Sequence, residues 1–209
     1  MGVHESQSLF WENRVARSRS FSEYFWHHFA QAGAPLKSGL DLWRAMNPLS
    51  PGLNRVEADE VSYGLHILIR TELEIALLEE NLDVEELPNQ WNKRYKDLLG
   101  VIPKSDSEGC LQDVHWSEGS FGYFPSYLLG HIISAQLTQS MEQELGPIEK
   151  NIAVGDVMSL LNWLRDNVHH FGRKLNAEQL VKKVTGQELN AQSFLNYLES
   201  KVNELSSIT

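Results

Sequence analysis

Cysteine is nearly absent from this sequence: Cys110 stands alone, so no disulfide can close within the chain, and a reducing compartment suits it. Long hydrophobic runs are also missing. The stretch Gly119–Met141 has no Lys, Arg, Asp or Glu and is long enough to span a bilayer, yet Pro125, His131, Gln136, Gln139 and several hydroxyl side chains interrupt it. Hydrocarbon tolerates such groups poorly, so a buried helix is expected there and no membrane partner. Basic charge is scarce, with 18 Lys and Arg against 28 Asp and Glu and a formal net charge of −10. That balance argues against nucleic acid as a partner. The small basic cluster at Arg14, Arg17 and Arg19 reads as a solvated helix face. The first residues lack the charged and apolar regions of a secretory signal, and a cytoplasmic location is expected. Alternating strand patterns, internal repeats and low-complexity linkers are absent too.

What is present is helical. With 209 residues, 42% of them hydrophobic, the chain can build a sizeable core. Phe21, Phe25 and Phe29 recur every four residues, which places an aromatic face on a helix over Ser20–Gln31. The longest helix is expected from about Val56 to Asn81, with Val61, Leu65, Leu68, Ile69, Glu72 and Ile75-Ala76 as its mostly apolar stripe. Pro88 opens and Gly100 closes the next. Further helices are predicted over Ser126–Leu145, from Gly155-Asp156 onward, from a capping box at Asn176–Gln179 to Gly186, and from Asn190 to the end. The expected fold class is all-α, a single helical domain over 1–209, with a small strand element near the site.

The stretch Gly109–His131 stands apart. It crowds His115 and His131, Gln112-Asp113, Cys110 and several bulky aromatics among glycines, which allow tight turns and close approach. Gln112-Asp113-Val114-His115-Trp116 offers a carboxylate able to orient an imidazole, and Tyr123 a phenol able to donate to an oxyanion. A buried Asp–His hydrogen bond within a packed aromatic cluster accounts for the same residues. Arg55 could fork onto a carboxylate ligand, or pair with Glu57 or Asp59 on the surface. His4-Glu5 offers two zinc donors or an ordinary helix start.

Together, His4-Glu5-Ser6-Gln7 with Leu9-Phe10-Trp11-Glu12-Asn13, Arg55-Val56-Glu57-Ala58-Asp59, and Gly109-x-x-Gln112-Asp113-x-His115-Trp116 resemble the ordered motifs of the thermostable carboxypeptidase Taq family. Phe121-Gly122-Tyr123-Phe124-Pro125 and His169-x-x-Gly172-Arg173 extend the resemblance through essentially the whole chain. These are all-helical, cytoplasmic zinc metallocarboxypeptidases of the HExxH class, commonly homodimeric. The resemblance implies that Glu5 is a zinc ligand, that Arg55 binds the free α-carboxylate of a peptide, that Tyr123 assists the tetrahedral intermediate, and that His115 shapes the substrate pocket. It also implies zinc as cofactor, with cobalt able to substitute, and peptide C-termini as partners.

The chain departs from the pattern at one place. The only His-Glu is His4-Glu5, and Ser8 stands where HExxH needs its second histidine. The expectation is therefore a C-terminal portion carrying one zinc ligand of three, which neither binds zinc nor hydrolyses peptides by itself. The alternative is a non-enzymatic helical module that binds peptide C-termini or a protein partner, or self-associates to cover exposed apolar surface.

Overall fold

The computed structural model describes residues 1–207. Its helices in chain order are α1 (Gly2–Leu9), α2 (Arg19–Gln31), α3 (Gly39–Met46), α4 (Glu60–Leu78), α5 (Leu87–Leu99), α6 (Pro125–Leu145), α7 (Ile148–Ala153), α8 (Val157–Asn167), α9 (Ala177–Thr185) and α10 (Gln192–Ser207). The fold is all-α, as expected. The small strand expected beside the site does not form: among the described residues no strand occurs, and 101–124 is built of turns. Its backbone groups pair locally, as in Gln112 N–H to Gly109 C=O and Ser120 N–H to His115 C=O, which leaves no ladder edge to extend.

Local signals set the helix ends. Ser18 and Asp59 accept backbone N–H groups at the starts of α2 and α4, and Asn176 with Gln179 forms the anticipated capping box of α9. Gly100 and Gly186 close α5 and α9 in the left-handed region, at φ 72° and 71°. The longest helix is α6 with 21 residues, ahead of α4 with 19, because 55–57 forms a separate 3-10 turn before Asp59. Beyond Leu9 the chain widens into a π-helix over Phe10–Ala16, which buries Phe10, Asn13 and Val15. No described helix is long and apolar enough to cross a membrane.

The chain divides into two compact units. One comprises Met1–Pro48 and the residues from Leu129 onward, and its core gathers Phe10, Leu137, Met141, Leu160, Trp163 and Val181. The other comprises Leu49–Leu128, with a core of Ile69, Leu73, Trp91, Tyr95, Leu99 and Cys110. In the latter, α4 is rotated from the expected stripe: Ile69 and Ala76 are buried and Leu65 packs on the core, but the other members are not. Val61, Leu68 and Ile75 are exposed, while Ser62, His66, Ile69, Arg70, Leu73 and Glu74 face inward.

In the first unit, α1 lies against α6 at Gly130. A Cβ there would come within 2.6 Å of the Glu5 Cβ and 3.1 Å of the Glu5 carbonyl carbon. Gly130→Ala should therefore push α1 off α6 and cost about 1–3 kcal/mol of stability, as overpacking does. Urea unfolding with an unchanged midpoint would show that α1 does not depend on this close approach.

Candidate functional site

Four residues of the Leu49–Leu128 unit form one buried polar cluster. Arg70, on α4, is fully buried at 0% exposure. Its Nε donates to Asp113 Oδ2 at 2.6 Å, Nη2 to Gln112 Oε1 at 2.8 Å, and Nη1 to the His66 carbonyl at 3.0 Å and the Tyr95 hydroxyl at 3.1 Å. The same carboxylate takes a second guanidinium: Arg55 donates to Asp113 Oδ1 from Nε at 3.0 Å and from Nη2 at 2.6 Å. Arg55 Nη1 lies 3.3 Å from the Tyr63 hydroxyl. Arg55 is thus buried against Asp113, rather than paired on the surface with Glu57 or Asp59.

Gln112 locks the cluster to the backbone. Its Oε1 also accepts from Arg55 N–H at 3.1 Å, and its Nε2 donates to the carbonyls of Leu53 at 3.1 Å and Glu108 at 2.9 Å. All four hydrogen bonds of the amide are made. Burial alone would push the Asp113 carboxyl up, but the Arg55 hydrogen bonds and both arginine charges outweigh it and hold it below the ordinary range. Asp113 raises Arg55 in turn, against the effect of burial.

Behind the cluster sit His66 and Tyr95, with His66 Nδ1 3.0 Å from the Tyr95 hydroxyl. Burial, then the charges of Arg70 and Arg55, lower the His66 pKa from 6.5 to about 4, so the imidazole is neutral at pH 7. Trp91 stacks on Tyr95 and lies 4.7 Å below the Arg70 guanidinium.

Glu74, one helical turn beyond Arg70, fixes the loop in front. It accepts the Trp116 indole N–H at 2.7 Å and the backbone N–H of Gly122, whose φ of 73° turns the chain into Tyr123. His115 lies in this loop. Its ring is 4.4 Å from Phe124 and 5.8 Å from Tyr123, and its Nε2 is 3.1 Å from the Tyr127 hydroxyl. Burial and the two arginines lower its pKa despite Asp113. Its Nδ1 is 3.8 Å from Asp113 Oδ1, too far for the Asp–His hydrogen bond that adjacency in sequence suggests, and that nitrogen is buried with no hydrogen-bond partner. Tyr127 brings Arg55 into the same group, its ring 5.0 Å from the guanidinium carbon.

Arg55, His115 and Tyr123 therefore share one unit, whereas Glu5 belongs to the other. Glu5 lies half-buried on α1, and the neighbouring Gln7 shares a 2.8 Å hydrogen bond with His169 Nε2. His131, the far end of the stretch singled out in the sequence, is on α6 in that unit and packs on Phe194. Among the described residues no three His, Cys, Asp or Glu side chains are grouped to hold a metal ion. Glu5 contributes one carboxylate where a catalytic zinc uses three protein ligands, so the donor set does not fit the ion.

Sequence reasoning missed Arg70, Glu74, His66 and Tyr95. A signal was there: Ser62, His66, Arg70 and Glu74 recur every four residues along an otherwise apolar helix, marking a polar inner face.

Asp113→Ala leaves two buried guanidiniums without their counter-ion and should cost about 3–5 kcal/mol in denaturant unfolding. Acid should act earlier, through His66. Its folded pKa lies below 6.5, so its full contribution to stability is present above pH 6.5 and is lost as pH falls towards about 4. The lowered His115 and His169 add in the same sense. Stability measured across that window should fall, and His66→Gln should flatten the fall; an unchanged slope would rule out His66 as the main titrating group.

Comparison with known proteins gives this arrangement its context. Residues 1–202 match the family model described as carboxypeptidase Taq (M32) metallopeptidase. The chain is 48% identical over 203 residues to thermostable carboxypeptidase 1 of Thermus thermophilus, covering 96% of itself and 40% of that protein. It is 41% identical over 208 residues to carboxypeptidase 1 of Bacillus subtilis, covering 98% and 42%. It superposes on the M32 carboxypeptidase from Deinococcus radiodurans with a TM-score of 0.93 at 39% identity, covering 98% of this chain and 42% of that one. For Trypanosoma cruzi metallocarboxypeptidase 1 the TM-score is 0.91 at 38% identity, over 95% and 42%. The chain thus spans about 40% of the length of the curated relatives it matches, and it belongs to the carboxypeptidase Taq (M32) metallopeptidase family.

Proposed function

We propose that the Leu49–Leu128 unit is the carboxylate-recognising part of a zinc carboxypeptidase that releases single C-terminal amino acids from peptides. One observation carries the reading: two buried guanidiniums share the single carboxylate of Asp113. Within that hydrogen-bonded cluster positive charge is in surplus, two guanidiniums against one carboxylate, and the neutral His66 beside it leaves that balance unchanged. Asp113 occupies the Nε–Nη2 edge of Arg55, and Nη1, which donates to the Tyr63 hydroxyl at 3.3 Å, is the group proposed to turn to the carboxylate of a bound peptide. The free α-carboxylate distinguishes a peptide C-terminus from every internal residue, so a fixed arginine is a sufficient selector.

His115, packed against Phe124 and Tyr123, is the residue proposed to shape the substrate pocket. Tyr123, set by Gly122 and the Glu74 anchor, is the phenol proposed to donate to the oxygen that gains charge during hydrolysis. Metal donors beyond Glu5 have to come from residues other than those described. Binding of peptide C-termini does not need them, which makes a binding module the chain's own contribution and hydrolysis the property of a completed enzyme. The lone buried Cys110 agrees with a cytoplasmic setting.

Calorimetric titration tests this directly. A short peptide with a free carboxylate should bind the chain at least about tenfold tighter than its C-terminal amide, a difference of about 1.4 kcal/mol, and Arg55→Gln should abolish the preference. Equal binding of both peptides would sink the proposal. Elemental analysis of the purified chain should find zinc well below one per chain, and no amino acid should be released from a blocked dipeptide with zinc or cobalt added. Stoichiometric metal with turnover would mean that donors have been overlooked.

A further inference from the structure

The unit made of Met1–Pro48 and the residues from Leu129 onward holds a cavity of about 430 Å³, within the size range of small-molecule sites. The π-helix Phe10–Ala16, α6, α7 and α10 supply most of its lining. π-Helical turns are rare and gather at functional sites, and this one sets Asn13 on the cavity. Asn13 is only 6% exposed, yet its side-chain amide makes no hydrogen bond among the described residues. Buried amides are nearly always partnered, so a polar group held in the cavity is the missing partner.

The charges on the lining are of both signs. Arg17 gives Nη2 to Glu12 at 2.9 Å, and its Nε and Nη1 make no hydrogen bond among the described residues. Arg14 and Lys201 flank Tyr197, the guanidinium carbon 3.2 Å from the ring centroid and Nζ 3.1 Å from the hydroxyl. That hydroxyl reaches the Asn13 carbonyl at 3.3 Å, which puts these cations beside the unpartnered amide. The opposite charge comes from other elements. Glu142 of α6 accepts the Ile148 N–H at 3.2 Å, and Glu149 of α7 accepts the Ser20 N–H at 3.1 Å. Each uses one oxygen and keeps a second without a hydrogen bond among the described residues.

A polyanion would meet those carboxylates, and a simple cation would meet the arginines. A small molecule carrying both signs satisfies the two together. We propose that this cavity binds a free α-amino acid as its zwitterion, with the carboxylate on Asn13 and Arg17 and the ammonium on Glu142 and Glu149. Free amino acids are also what the proposed hydrolysis releases, although the cavity's own charges are the ground for naming them. The cavity lies in a different unit from Arg55 and stands or falls separately from carboxylate recognition there.

Calorimetric titration of the chain with glycine, L-leucine and L-phenylalanine tests the assignment. At least one should bind one-to-one with a Kd of about 1 mM or tighter, and at least about tenfold tighter than its N-acetyl form or its amide. Glu142→Gln, which can still accept the Ile148 N–H, should remove the preference over the N-acetyl form. Arg17→Gln should remove the preference over the amide. Ser200→Trp, at an exposed position on the lining, should obstruct the cavity and weaken binding at least tenfold without disturbing the core. Circular dichroism checks that each variant is folded. The same titrations with Arg55→Gln should give unchanged affinity. No binding of any of the three amino acids, equal affinity for zwitterionic and blocked forms, or full affinity in both Ser200→Trp and Glu142→Gln would overturn the proposal. So would binding that Arg55→Gln abolishes, since the amino acid would then sit at the proposed C-terminus site. Cavity binding in a chain with no preference for peptides bearing a free carboxylate would support the cavity and remove the recognition reading instead.

Discussion

The orientation of α4 depends on the burial of Arg70. A guanidinium removed from water is strongly unfavourable unless its charge and its N–H groups are met, and here Asp113, Gln112, Tyr95 and the His66 carbonyl meet them. That requirement turns the polar row of α4 inward. The helix has more apolar residues than its inner face can hold, so Val61, Leu68 and Ile75 are left outside. The inner ion cluster and the outer stripe are two results of one constraint.

The same constraint organises the segment 101–124, which has no regular structure of its own. Asp113 and Gln112 fasten its middle to α4, and Glu74 fastens Trp116 and Gly122 beyond it. Between those points the chain is free to turn through glycine conformations that place His115, Tyr123 and Phe124 together. A loop held by charge-assisted bonds to a helix can be irregular and still positioned.

Much of this is legible in the sequence. Capping residues and closing glycines mark α9 and the end of α5, and the ordered motifs point to the family and to the residues Arg55, Asp113 and His115. Two things are hidden. Hydrophobic periodicity assigns Val61, Leu68 and Ile75 of α4 to the core together with Ile69 and Ala76, but a buried ion cluster claims the neighbouring face and leaves the first three outside; the row His66, Arg70, Glu74 holds that information. The expected strand beside the site fails because local turns and Glu74 take many of the backbone N–H groups of 101–124. The pairing of Arg55 with Asp113, 58 residues away, is a tertiary contact that no local pattern encodes.

The residues proposed for carboxylate recognition and for metal binding fall in different units. Every residue of the Arg55–Asp113 cluster and the loop before it, from Arg55 to Tyr127, lies within Leu49–Leu128 and draws its hydrogen bonds there. Glu5 lies in the other unit and has too few companions among the described residues to fix a metal. Recognition by a preorganised arginine requires only that Asp113 and Arg70 stay in place, whereas metal chemistry requires several donors converging within bonding distance. Of the two, the proposed recognition is the one whose residues all lie within a single unit.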